Sequence, residues 1–175
     1  MSDAPFIRQA TTADAAALLD IYRPYVENTA VSFELVAPTV DEFAARIAKA
    51  LSRWEWLVAE HDGKCIAYAY GSSHREREAY AWCGEVSAYV HPAHRGRRVA
   101  QHLYNALFDK LQARGYCNAY AGIALPNEAS IALHRSVGFT PIGVFKSAGR
   151  KFGAWHDIAW FGRVLRNEPL SQQRP

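Results

Sequence analysis

One stretch near the middle of the chain constrains the fold more than any other. A strand pattern from Ala79 to His91 stops at Pro92, and a helix pattern runs from Val99 to Arg114, where Gly115 is a suitable stop. The turn between them, His94 to Arg98, contains three arginines. The first N–H groups of a helix are unpaired and carry partial positive charge, so this turn predicts either a phosphate-binding site or only a solvated basic turn.

The remaining patterns predict a mixed architecture. Apolar spacing and capping signals predict a helix from Thr12 to about Glu27 and another that opens with the capping pair Thr39 and Glu42. The other segments predict strands over 6–9, 56–60, 65–71, 116–123 and, as a final pair, 139–165, with a short helix over 129–137. We therefore expect an α+β fold, with one mixed central β-sheet and helices on both of its faces.

Composition limits the domain count and the classes of partner. The 175 residues are 50% hydrophobic with a net charge of +3, which fits one domain over 1–165 and a flexible C-terminal tail over 166–175. The three cysteines and seven histidines form no metal-ligand spacing, so no metal is expected, and a cytoplasmic location follows from the lack of a disulfide pattern or signal peptide. No apolar run is long enough to span a membrane, and the short basic patch lacks interleaved aromatics, so neither membrane nor nucleic acid is an expected partner.

The central stretch resembles the acetyl-CoA loop of the GNAT superfamily of N-acetyltransferases, where Arg/Gln-x-x-Gly-x-Gly/Ala follows a strand that ends Val-x-Pro. Arg95 and Ala100 match the first and last positions of that pattern. Arg98 replaces the first small residue, and we expect ordinary helical backbone angles there, with the side chain pointing away or reaching a phosphate. The resemblance also implies that the strand splays at a bulge and frees N–H groups near Val90. The implied acetyl-CoA site comprises Ala88, Tyr89, Val90, Arg95, Gly96, Arg97, Arg98, Val99, Ala100, Gln101 and Asn127.

A second segment, Asn127 to Phe139, is similar to the GNAT pattern Asn-x-x-Ala/Ser-x-x-Leu-Tyr-x-x-x-Gly-Phe. The family's asparagine binds the pantetheine arm, although Asn127 and Gly138 also suit simple helix capping. His134 stands where most members have tyrosine and, with Gly153 to Asp157, resembles phosphinothricin acetyltransferase and its relatives that act on methionine sulfone or sulfoximine. This resemblance implies a small amino acid or analogue as acceptor. A homodimer is also expected, with an interface to which the terminal-strand aromatics Phe152, Trp155, Trp160 and Phe161 contribute.

Acetyl transfer to an amine requires removal of a proton from the amine, and Glu85 is the expected general base. A carboxylate in an apolar strand needs either a role or a partner, and the alternatives are a rim carboxylate or an ion pair with Arg75 or Arg77. His134 is expected to protonate the departing thiolate or to order the acceptor, although a packed histidine is the alternative.

Acceptor binding is expected from four residues, of which two arginines suit a carboxylate or phosphinate and two aromatics would wall the pocket: Arg75, Arg77, Phe33 and Tyr80. Plain surface charge is the alternative for both arginines. Two other functions remain open: acetylation of another amine, such as a protein N-terminus or polyamine, and a non-catalytic acyl-CoA-binding module.

Overall fold

The computed structural model describes residues 5–171 and 175, and within them seven strands form one sheet. The strands are β1 (Phe6–Gln9), β2 (Trp56–His61), β3 (Lys64–Ser73), β4 (Cys83–Val90), β5 (Asn118–Ala124), β6 (Thr140–Lys151) and β7 (Ala154–Val164). Their order across the sheet is β1-β2-β3-β4-β5-β7-β6. Every neighbouring pair is antiparallel except β4 and β5, which are parallel.

Helices cover both faces of this sheet. They are α1 (Ala15–Asn28), α2 (Val40–Leu51), α3 (Val99–Arg114) and α4 (Glu128–Ser136). Side chains of α1 and α2 share one buried cluster with Trp56, Val58 and Tyr68, whereas those of α3 share the other with Leu57, Ala67 and Ala69. Successive strand residues point to opposite faces, so consecutive residues of β2 and β3 fill two separate cores. The expected α+β architecture is confirmed.

The bounds of α3 agree with its sequence pattern because both ends carry local signals. Gly115 follows the last turn with φ +101° and donates its N–H to the carbonyl oxygen of Gln112. The capping pair of α2 also forms, with the Glu42 carboxylate accepting from the N–H of Thr39 at 2.7 Å. The N-cap of α1 is Asp14, two residues after the expected Thr12, because a 3-10 turn over Thr12–Asp14 precedes the helix. Thr11 is the N-cap of that turn, and its N–H donates to the Asp14 carboxylate at 2.7 Å.

The expected strand from Ala79 is wrong in its first four residues. Residues Glu78–Tyr80 form a 3-10 turn, in which Tyr80 N–H donates to Arg77 and Ala81 N–H to Glu78. β4 begins at Cys83, which pairs with Asn118 of β5, and its pairing with β3 starts at Gly84. The alternating Ala79-Tyr80-Ala81-Trp82 text has the period of a strand, but local turn hydrogen bonds satisfy this backbone instead.

The C-terminal segment begins against the body of the domain. Arg166 N–H donates to the carbonyl oxygen of Cys117 at 3.2 Å, and the Arg166 guanidinium donates to the carbonyl oxygen of Gln112 at 3.4 Å. Residues 172–174 of the expected tail lie outside the described residues, and its flexibility stays a prediction. Of the helices in the described ranges, none is both long and apolar enough to cross a bilayer.

Candidate active site

The site is built around a gap between two parallel strands. β4 and β5 pair only over Cys83↔Asn118, Gly84↔Ala119 and Glu85↔Tyr120, although both strands continue beyond that point. On the other side of β4 the register with β3 runs without a shift, so the strands diverge without the expected bulge against β3. The N–H of His91 donates to Ile66, and the alternation of an antiparallel ladder therefore turns the N–H groups of Val86, Ala88 and Val90 toward the gap.

A cleft of about 790 Å³ opens at the mouth of this gap. Its walls are the end of β4, the first turn of α3 and one face of α4. Nine of the eleven residues expected to bind acetyl-CoA line it: Ala88, Val90, Arg95, Gly96, Arg98, Val99, Ala100, Gln101 and Asn127. Tyr89 lines a narrower extension of about 60 Å³ between the strands, and Arg97 lines neither cavity.

The basic turn reaches α3 through two left-handed residues. Gly96 has φ +77° and Arg98 has φ +57°, ψ +15°. The expectation of helical angles at Arg98 is therefore wrong, and this arginine occupies a conformation that glycine adopts without a steric penalty. The turn thereby delivers the unpaired N–H groups of the α3 start to the cleft, beside the Arg95 and Arg98 side chains.

Tyr25 of α1 contacts the end of β4 and was not singled out by the sequence. Its hydroxyl donates to the Val90 carbonyl oxygen at 2.6 Å and accepts from the Val90 N–H at 3.4 Å. The Arg95 guanidinium lies 5.1 Å from the centre of the Tyr25 ring, within cation–π range. The only sequence signal is a spacing of three residues from the buried Tyr22, which places both rings on one side of α1.

Asn127 is the N-cap residue of α4, and one polar atom of its side chain is available to a ligand. Its Oδ1 accepts from the N–H of Ser130 at 3.1 Å, as an N-cap does. Among the described residues no partner contacts its amide nitrogen, although this side chain lines the cleft. Capping and ligand binding are therefore compatible at this asparagine.

His134 lies buried at the inner end of the gap. Its Nδ1 is 2.7 Å from the Ser130 carbonyl oxygen, which can only accept, so Nδ1 carries a proton. Nε2 is then the acceptor for the Tyr104 hydroxyl at 3.1 Å. Burial lowers the pKa of His134, against the opposing hydrogen bond to Ser130, and the imidazole is neutral at pH 7. Burial also raises the pKa of Tyr104. Neither group is thus a strong acid at neutral pH.

Glu85 faces the opposite side of the sheet from α3 and is paired with a residue that the sequence analysis missed. Its Oε1 lies 2.9 Å from Nδ1 of His74, and the two side chains are 34% and 17% exposed. The ion pairs considered with Arg75 and Arg77 do not form. The pairing register of β3 with β4 would have predicted this partner. Ser72 of β3 lies opposite Glu85, so a residue just beyond the end of β3 can reach the carboxylate.

Two of the four expected acceptor-binding residues are simply exposed. Arg75 and Arg77 lie in the turn before β4 and line none of the cavities described here. Tyr80 is nearer the candidate base, because its ring centre lies 5.9 Å from that of His74. Phe33 packs against the backbone of Gly149, where an added Cβ would lie 2.2 Å from the ring. Of the four expected residues, Tyr80 is therefore the one that a ring contact places beside the Glu85–His74 pair.

The loop that carries Phe33 is held by a buried lysine. Lys151 at the end of β6 is 3% exposed, and its Nζ donates to the carbonyl oxygens of Val26 at 2.6 Å and Ser32 at 2.7 Å. Burial lowers the pKa of this ammonium group. Because Ser32 precedes Phe33, the lysine fixes the loop against the β6–β7 hairpin.

Comparison with known proteins agrees with this arrangement. The acetyltransferase (GNAT) domain family matches residues 7–160. A phosphinothricin N-acetyltransferase of Streptomyces viridochromogenes is 36% identical over 90% of this chain and 86% of its own length. An L-methionine sulfoximine/L-methionine sulfone acetyltransferase of Salmonella typhimurium is 36% identical over 88% of this chain and 91% of its own length.

The fold has a counterpart of known structure. A GNAT superfamily phosphinothricin acetyltransferase from Sinorhizobium meliloti, solved in complex with acetyl-CoA, superimposes with a TM-score of 0.91. It is 32% identical, and the match covers 98% of this chain and 94% of that protein. Family match, sequence identity and fold agree, and the chain belongs to the GNAT family of acetyltransferases.

Proposed function

We propose that this protein transfers the acetyl group of acetyl-CoA to the α-amino group of a small amino acid or amino-acid analogue. One observation carries the proposal: the gap between β4 and β5 begins at Glu85, which is paired with His74, and at its mouth is a cleft lined by the cationic start of α3. The relatives named above as acting on phosphinothricin and on methionine sulfoximine or sulfone support the acceptor class.

The lining of the cleft fits acetyl-CoA. Arg95, Arg98 and the N–H groups of the α3 start suit the phosphates, since helix N-termini and arginines both bind phosphate oxygens. The N–H group of Ala88 and the amide of Asn127 suit the polar pantetheine arm, whereas the Val90 N–H already donates to the Tyr25 hydroxyl. Bound acetyl-CoA would supply the activated acetyl group, and the C–N bond to the acceptor would form as the C–S bond breaks.

Glu85 is the proposed general base. The acceptor arrives as an ammonium ion and must lose a proton before its lone pair can attack. An ionised carboxylate can only accept, so the 2.9 Å contact with His74 places the proton on Nδ1 of that ring and orients Glu85. The pair forms at the last paired position of β4, where the gap begins.

His134 is proposed to position Tyr104 rather than to act as an acid. A neutral imidazole whose one N–H is bound to the Ser130 carbonyl has no proton to give. Its Nε2 instead fixes the Tyr104 hydroxyl in the inner cavity, where both side chains contribute to the lining. A His134→Gln variant should therefore lose activity mainly through a lower kcat. A small general acid added to the assay should not restore that activity.

A homodimer in the cytoplasm remains our expectation. Phe152 and Trp155 of the β6–β7 hairpin are 62% and 63% exposed, and β6 is an edge strand whose Ile142 and Phe145 are 61% and 54% exposed. Phe161, expected to contribute to the interface, is instead 3% exposed and belongs to the core. Light scattering at micromolar concentration tests assembly, and a monomer mass would contradict it.

A panel of amines, with released thiol as the readout, tests the proposed acceptor class. It contains phosphinothricin, methionine sulfone, methionine sulfoximine, the common amino acids, polyamines and a short peptide. We expect the highest kcat/KM among the first three, with a loss of more than about tenfold when the acceptor carboxylate is amidated, as a lost ion pair predicts. If a polyamine or the peptide gives the highest value, the acceptor class is wrong although acetyl transfer stands.

A further inference from the structure

A second cavity of about 520 Å³ lies between α2 and the outer half of β3, away from the coenzyme cleft. Its size is within the range of small-molecule sites, about 300–1,000 Å³. Tyr22 of α1, Phe43 and Arg46 of α2, and Ser72 and Ser73 of β3 all contribute to its lining. It shares no lining residue with the cleft or with the cavity that contains His134.

The floor of this cavity is aromatic. Trp56 stacks on Tyr70 with ring centres 4.2 Å apart and planes within 13°, and the Tyr68 ring lies beside both, 5.5 Å from the indole and 6.2 Å from Tyr70. Trp54 adds a further ring at the edge. Trp54, Trp56 and Tyr68 are at most 4% exposed and Tyr70 is half-buried, so a flat or branched apolar group in the cavity packs mainly on the Tyr70 ring.

The charged residues that line the cavity are all cationic. Arg46, Lys49 and Arg53 line the cavity, and no acidic residue is among its lining residues. Arg46 is already bound through both terminal nitrogens to Glu34. Lys49 is exposed and, within the described part of the chain, has no ion-pair partner, so its ammonium group is available to an anion.

We propose that this cavity is a second small-molecule binding site, for a compact carboxylate that carries an aromatic or branched apolar body. The body packs on Tyr70, and the carboxylate binds the cations of Lys49 and Arg53 at the rim. Tyr70 and Ser72 stand opposite Ser87 and Glu85 in the β3–β4 ladder, so the site is next to the candidate base but separate from it.

Tryptophan fluorescence tests the proposal directly, because Trp54 and Trp56 both line the cavity. The protein is titrated with 3-phenylpropanoate and, as the neutral counterpart, 3-phenylpropanamide, with phosphinothricin at saturation in a parallel series. Neither titration needs acetyl-CoA or turnover, so the result is independent of the proposed reaction. The variants are Lys49→Glu and its matched control Lys110→Glu, an exposed lysine of α3 on the opposite face of the sheet.

We expect a saturable change with the carboxylate, about five- to tenfold weaker binding of the amide, and a similar loss for the carboxylate in Lys49→Glu, as one lost charge contact at a rim predicts. Lys110→Glu should bind like the unmodified protein, and phosphinothricin should not displace the ligand. Three results would each overturn the proposal: no saturable change at millimolar carboxylate, displacement by phosphinothricin, or equal binding of acid and amide by all proteins.

Discussion

The left-handed backbone at Arg98 leads to a prediction that separates the effect of backbone conformation on stability from the effect of the side-chain charge. A residue with a Cβ in this region costs about 1–2 kcal/mol relative to right-handed angles, and glycine has no such penalty. Glycine also loses more freedom on folding, which offsets about 0.5–1 kcal/mol of that gain. The Arg98 side chain is exposed and donates no hydrogen bond within the described residues. Arg98→Gly should therefore raise the free energy of unfolding by about 0.5–1 kcal/mol.

The matched control is Arg98→Ala, which removes the same charge and side chain but keeps the Cβ. It should be no more stable than the unmodified protein, so the two variants should differ by about 1 kcal/mol, or about 2–4 °C in Tm for a chain of this size. Urea unfolding followed by circular dichroism measures the difference. Equal stability of the two variants would refute the assignment of strain at this residue. Acetyl-CoA binding should weaken equally in both, because each loses the same charge.

Three further predictions concern the buried lysine, the buried histidine and the coenzyme turn. Lys151→Met leaves the carbonyl oxygens of Val26 and Ser32 without their donor, so the free energy of unfolding should fall by about 2–4 kcal/mol. The KM for the acceptor should also rise. A loss below about 0.5 kcal/mol in urea unfolding would contradict this prediction. Because burial lowers the folded pKa of His134 below its unfolded value, the unfolded chain binds more protons in acid. Stability should therefore fall as pH decreases below about 6.5, by up to about 1.4 kcal/mol per pH unit, and His134→Asn should flatten that slope in urea unfolding at several pH values. Arg95→Glu should weaken acetyl-CoA binding more at low salt than at high salt in calorimetry, and equal losses at both would argue against a phosphate contact.

The sequence predicted what is encoded locally. The bounds of α3 follow from the turn before it and from Gly115 after it, and α2 begins at a capping pair only three residues apart. These signals act within one helical turn, so no knowledge of the remaining chain is needed.

The features that were missed depend on packing between distant segments. Tyr25 contacts Val90, 65 residues away, because α1 packs over β4. Its spacing from Tyr22 indicates which side of α1 it lies on but does not predict this partner. His74 reaches Glu85 because β3 continues two residues beyond its expected end at Gly71. The left-handed angle at Arg98 was hidden because its residue type favours the opposite conformation.

The contribution of Glu85 to turnover is the most direct test of the account. Glu85→Gln keeps the size of the side chain and removes its basicity, and Glu76→Gln, an exposed carboxylate in the neighbouring turn, is the matched control. With phosphinothricin as acceptor, kcat at pH 7 should fall by about 10²–10⁴ in Glu85→Gln, acetyl-CoA affinity should stay nearly unchanged, and the loss should shrink at high pH, where the amine deprotonates without help. Turnover of Glu85→Gln equal to that of Glu76→Gln at pH 7 would contradict the account.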